Sequence, residues 1–122
     1  MGQPVVHFEV IGRDPAALRR YYAGLFGWAF DTSGQTAKEV SEPANYGFTE
    51  GNGIPGGVGG GAAYEPHTIF YVGVADVGAA LRDAERLGGK RIMGPVVAPG
   101  GQLAVGHFAD PEGNVVGVAG SA

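Results

Sequence analysis

The feature that most constrains this chain is that one pattern occurs twice. Asp14-Pro15 opens the first copy, an AALR tetrapeptide begins at Ala16, and Gly27 ends the run; Asp76, a second AALR at Ala79 and Gly88 repeat the series. The three spacings are 62, 63 and 61 residues, close to half of the 122-residue chain. A period of that size points to duplication of one supersecondary unit, and each half alone would leave a sheet face exposed. The two halves should therefore pair within one domain, 1–122, built from modules over about 3–63 and 67–119.

Each copy reads β-α-β-β-β. Pro4 to Ile11 is rich in β-branched residues, with Val6, Phe8 and Val10 on one face and His7, Glu9 and Ile11 on the other. Asp14 is a capping residue with proline at the first helical position, and Leu18, Tyr22 and Leu25 continue at helical spacing, which predicts a helix over Pro15 to Phe26. WAFDTS, ANYGFTE and the glycine-rich Ile54 to Ala63 are the expected second, third and fourth strands. In the second copy Phe70, Val72 and Val74 should face a helix carrying Ala80, Leu81, Ala84 and Leu87 inward, while Ile69 and Tyr71 take the places of His7 and Glu9. The turn Asp110-Pro111-Glu112-Gly113 then aims a last strand that begins near Asn114.

Composition narrows the function classes. The chain carries eight Lys and Arg against twelve Asp and Glu, for a net charge of −4, with no basic stripe for a nucleic acid to follow. There is no cysteine, so neither a disulfide framework nor a thiol nucleophile is available. No secretory signal and no apolar run of membrane-spanning length is read at the start or elsewhere, which makes a cytoplasmic protein the expectation. GNGIPGGVGGG resembles a phosphate loop only in its glycines, because it lacks the lysine, the Ser or Thr and the helix that such loops need.

Four segments in order, HFEV ahead of Asp14, RRYYAGLFGW, YVGVADVGAALRDAERLGG and DPEGN, resemble the vicinal oxygen chelate superfamily of glyoxalase I, bleomycin-resistance proteins and extradiol dioxygenases. FGW together with DPEGNVVGV is similar to a branch of small bacterial members. The resemblance implies an α+β fold in which the two modules form a half-open, cup-shaped mixed sheet with helices outside. It implies a homodimer as well. In metal-using relatives the first and last strands of each half supply four ligands to a divalent cation. Carried over residue by residue, His7 holds the first ligand place, Ile69 the corresponding place in the second half, and Gly117 that of the terminal carboxylate, while GIPGGVGGGA offers none. A hydrocarbon and glycines cannot coordinate a cation, so no metal or other cofactor is expected at a standard site. A divalent metal held in a non-standard way by His7, Glu9, His67 or His107 is the minority alternative.

His7, Glu9, Ile69 and Tyr71 should line the cup, and polar groups converging in an apolar cavity make a binding site the first hypothesis. His107 shares parity with Val105 and Ala109, and its face is left open. Glu9 reads either as a general base or as a structural acceptor, and His7 as a base or ligand against a hydrogen-bonded wall residue. Two functions follow. One is a metal-independent protein binding a small apolar or aromatic molecule, with His7, Glu9, Ile69, Tyr71 and His107 as contacts. The other is a lyase, isomerase or dioxygenase relative that uses His7 and Glu9 catalytically.

Overall fold

A computed structural model describes residues 2–34 and 36–122. Among them are seven strands and two α-helices, an α+β fold. The chain divides into two compact units, one of His7–Thr68 and one of Ile69–Ala122 with the leading residues up to Val6.

In the first unit β1 (Val5–Gly12) leads into α1 (Pro15–Phe26), the helix that the spacing predicts. The Asp14 carboxylate accepts from the Ala17 amide at 3.1 Å, Pro15 occupies the first turn, and Gly27 closes the helix in a left-handed conformation. The short β2 (Gly47–Thr49) and the five-residue β3 (Gly56–Gly60) complete the sheet, with β3 between β2 and β1, antiparallel to the former and parallel to the latter. Phe8 packs against Trp28, itself packed among Tyr22 and Phe26 of α1, so the Phe8, Val10 face of β1 is the helix side.

The strand expected from Trp28 is reduced to a single bridge between Asp31 and Phe48. The reason is local: the Asp31 carboxylate accepts from both the amide and the hydroxyl of Ser33, an Asx turn that takes the backbone away after one pairing. The glycine-rich β3 forms despite four glycines in five residues, and all five are buried. What looks like a weak strand is a strand that neighbouring rings lie across.

The second unit orders its strands β4 (His67–Asp76), β7 (Val115–Ser121), β6 (Ala104–Ala109) and β5 (Lys90–Val97), with β4 parallel to β7 and the rest antiparallel. Helix α2 (Val77–Arg86) is capped by Asp76, whose carboxylate accepts from the Ala79 amide at 3.0 Å. Val77, Leu81, Ala104 and Val118 form its buried core, with Val74, Ala80 and Phe108 packed on it. Leu87, expected inward, is 70% exposed, because the helix ends at Arg86 and the positive-φ Gly88 turns the chain immediately afterwards. Phe70, expected against the helix, is also exposed. Among the described residues no helix is long and apolar enough to cross a membrane.

Candidate functional site

The DPEGN turn sets the register of the second unit. Asp110 accepts from the amides of Glu112 and Asn114 and from the Asn114 side chain, and those hydrogen bonds hold its carboxyl below the usual range. The β6–β7 hairpin that results places His107 beside Gly117, and the parallel pairing of β4 places Tyr71 on the other side of the same glycine. Tyr71 and His107 thus share the face opposite α2. Their polar atoms meet at 2.6 Å, hydroxyl to Nε2, with Tyr71 1% and His107 8% exposed. Ile69 is buried two residues earlier on the same strand.

The first unit builds a related arrangement from different residues. Glu9 pairs with Gly57, as Tyr71 pairs with Gly117. Glu9 is 4% exposed, and its Oε2 accepts from the Tyr46 hydroxyl at 2.9 Å; the same hydroxyl lies 2.8 Å from His7 Nε2. Tyr46 is put there by the turn ahead of β2, where Pro43–Asn45 forms a short 3-10 segment and Arg19 of α1 donates to the Asn45 carbonyl at 2.5 Å. Phe48 packs on Tyr46 at 4.7 Å between ring centroids and on His7 at 6.4 Å, so the polar group sits in an aromatic wall. Burial therefore pushes the His7 pKa below its ordinary 6.5, and the ring is neutral at neutral pH.

That direction fixes a pH dependence. The unfolded chain binds a proton at His7 below pH 6.5 while the folded one does not, so this group's contribution to stability is present above 6.5 and is lost as the pH falls toward the lower folded value. The slope reaches at most about 1.4 kcal/mol per pH unit. Chemical denaturation at pH 7.5, 6.5 and 5.5 should show the wild type weakening more steeply than His7→Gln; equal slopes would mean that folding does not lower the His7 pKa.

Both tyrosine rings lie across glycines. A Cβ at Gly57 would come within 2.1 Å of Cε1, Cζ and the hydroxyl oxygen of Tyr46, and a Cβ at Gly117 within 2.4 Å of Tyr71 Cδ2. Gly117 is the place that the superfamily resemblance gives to a terminal carboxylate, and Gly57 stands in the matching register of the first unit. Space for a ligand side chain at either position is already filled by the protein's own ring. With Ile69 a hydrocarbon and His7 Nε2 engaged by Tyr46, the residues at these places do not fit a divalent cation. Among the described residues no group of three or more His, Asp or Glu comes together to hold one. His67 stands apart at the exposed start of β4, its Nδ1 on the Glu65 carbonyl.

Helix-side space is less informative. A groove of about 610 Å³ beside α2 is lined by Val72, Val74, Ala80, Phe108 and Val118, and its carboxylates Asp76 and Asp110 serve a helix cap and a turn.

The family model of the glyoxalase-like domain matches residues 7–119. The chain belongs to that family, within the vicinal oxygen chelate superfamily. Solved structures share the domain's fold at low identity. A methylmalonyl-CoA epimerase from Streptomyces coelicolor, solved with 2-nitronate-propionyl-CoA, is 15% identical over 98% of this chain and 95% of that one, with a TM-score of 0.69. The epimerase from Mycobacterium tuberculosis is 10% identical over 97% and 87%, also at 0.69. A hypothetical protein from Bacillus halodurans is 13% identical over 100% and 96%, at 0.70. A search of curated proteins finds no match. For this glyoxalase-like domain, then, likeness to the epimerases establishes the fold, and its activity has to be argued from its own residues.

Strand alternation puts His7 with Glu9 and Ile69 with Tyr71 on shared faces, but it gives no sign of Tyr46, whose hydroxyl contacts both His7 and Glu9. The available signal was the pairing of Tyr46 in ANYGFTE with the glycines of GIPGGVGGGA: an aromatic residue at the entry to a strand whose partner carries no side chains.

Proposed function

We propose that this glyoxalase-like domain binds a small apolar or aromatic molecule without the superfamily's standard metal site. The observation that carries the reading is the overlay of Gly57 by Tyr46 and of Gly117 by Tyr71, which puts aromatic surface and hydroxyl groups where metal-using relatives put ligands. Within each unit a few placed polar groups stand among apolar ones, His7 and Glu9 in the first and Tyr71 and His107 in the second, which suits recognition of a small molecule. Methylmalonyl-CoA epimerase structures solved with methylmalonyl-CoA and with 2-nitronate-propionyl-CoA support the use of this fold for small molecules.

Thermal unfolding against a library of aromatic and enolisable compounds tests the reading. A ligand present at 100 times its Kd stabilises by about 2.7 kcal/mol, a shift of several degrees for a domain of this size. At least one compound class should give such a shift on chelator-treated protein; no hit, together with turnover that depends on added metal, would contradict it.

One observation favours a second reading, an enzyme in which His7 and Glu9 act as acid and base: the two are joined through a single hydroxyl, the connection a proton would need. On that reading His7→Ala abolishes turnover of a compound found in the library, whereas simple binding leaves no turnover to lose.

A further inference from the structure

Three asparagines occur in the chain, and one of them, Asn52, is followed by glycine. The pair stands at the tip of the hairpin that joins β2 to β3, where residues 50–55 are all exposed. Loop tips of this kind leave the backbone accessible and free to sample conformations. Gly53, at a φ of 101°, has no Cβ to stand between its own nitrogen and the Asn52 side chain. A Cβ on Gly51 or Gly53 would meet nothing within 4 Å, so the tip is not walled in. Among the described residues the Gly53 amide enters no backbone hydrogen bond. The Asn52 side chain is tied through Nδ2, which donates to Thr49 Oγ1 at 2.8 Å. The other two asparagines are placed differently: Asn114 precedes the branched Val115 and its side chain is held by Asp110, and Asn45 precedes Tyr46, whose ring is buried.

We propose that Asn52 is a self-modifying site, converted without any enzyme to aspartate and isoaspartate. The Gly53 nitrogen bonds to Asn52 Cγ as it gives up its proton, the Cγ–Nδ2 bond breaks, and Nδ2 leaves as ammonia, closing a cyclic imide. Water then opens the ring. Cleavage of the new Cγ–N bond gives aspartate with the main chain intact. Cleavage at the Asn52 carbonyl carbon leaves the main chain running through Cβ and Cγ, which is isoaspartate. Either product adds one negative charge to a chain whose net charge is −4. The two differ at Thr49, which is 2% exposed and pairs with Gly56 at the mouth of the hairpin. An aspartate carboxylate still accepts from the Thr49 hydroxyl, whereas in isoaspartate the side-chain carbons have become main chain and the tie is lost. Thr49 follows Phe48, which packs on Tyr46 and His7, so isoaspartate loosens the strand that carries the aromatic wall of the first unit. The site is independent of the small-molecule-binding reading.

Intact protein held at 37 °C, at pH 6.5 and at pH 8.5, and then cleaved after glutamate releases residues 51–85, in which Asn52 is the only asparagine. The expected result is the mass gain of an amide-to-acid exchange in this peptide, several-fold faster at pH 8.5 because the reacting nitrogen has to lose its proton. Methyl transfer from S-adenosylmethionine by an isoaspartate methyltransferase should label the same peptide, and neither signal should appear in Asn52→Gln. No gain in residues 51–85 overturns the proposal. Equal gain in the peptides carrying Asn45 and Asn114 overturns it too, since it means that the reaction follows unfolding of the chain and not the geometry of this loop. The consequence at Thr49 is read by urea unfolding of the isoaspartyl form, separated chromatographically from the aspartyl one. Its midpoint should fall below that of Asn52→Asp, and equal midpoints overturn the loosening of β2.

Discussion

Gly117→Ala should destabilise the protein by about 2 kcal/mol, and Gly57→Ala by at least as much, in the range that overpacking of a filled interior costs. At Gly117 the added Cβ would lie 2.4, 2.5 and 2.8 Å from Cδ2, Cε2 and Cγ of Tyr71. At Gly57 it would meet the far edge of Tyr46 and its hydroxyl at 2.1 Å. Neither ring has solvent to swing into, as both tyrosines are 1% exposed. Displacing Tyr46 also pulls its hydroxyl from His7 and Glu9, which places the larger cost at Gly57. Backbone freedom is not the cause, since neither glycine has a positive φ. Urea unfolding separates this from a generic effect when it is run as a double-mutant cycle. With Tyr71→Ala as background, Gly117→Ala should cost almost nothing, a coupling of about 1–3 kcal/mol. An unchanged cost in that background would mean that the ring is not what fills the position.

Tyr46→Phe should cost about 2 kcal/mol with no change in shape, because it takes a donor from a buried carboxylate and an acceptor from a buried imidazole at once. Tyr71→Phe removes a hydroxyl bonded to His107, so about 1 kcal/mol is expected there. Hydroxyl groups lost from solvent-facing tyrosines would be near neutral; Tyr21, 61% exposed on α1, is the control. Equal effects for Tyr46→Phe and Tyr21→Phe, measured as denaturation midpoints at constant m-value, would show that the chain through Tyr46 contributes nothing to stability.

What the sequence disclosed and what it withheld divide along physical lines. Local chemistry was legible: Asp14 and Asp76 cap their helices, Gly27 stops α1, and Asp110 organises the turn before β7. Alternation was legible too, since it put His7 with Glu9 and Ile69 with Tyr71 before any register was known. The site's third member was not. Tyr46 lies outside a strand, and its position depends on how β2 pairs with β3 and on Arg19 reaching the Asn45 carbonyl, both tertiary facts. The glycines of β3 misled for a related reason. Read one strand at a time, they signal weakness; read against Phe8 and Tyr46, whose rings would touch a Cβ at Gly56 and Gly57, they are spaces kept open. His107 had an undetermined face until the hairpin register set it beside Gly117. The lost strand at Trp28 shows the opposite error, a β-favouring composition overridden by an Asx turn two residues past the bridge at Asp31.

Aromatic rings of this chain, Tyr46 over Gly57 and Tyr71 over Gly117, occupy the places that the superfamily resemblance gives to cation ligands. The direct measurement is the thermal unfolding of chelator-treated protein with and without added magnesium, manganese, iron(II), nickel or zinc ions. The expected result is the same midpoint for every metal, and no more than trace metal in protein purified without chelators. A rise of the size that a specific site gives, about 2.7 kcal/mol at a concentration 100 times its Kd, would contradict it, and would contradict it most clearly if Gly117→Ala left that rise intact.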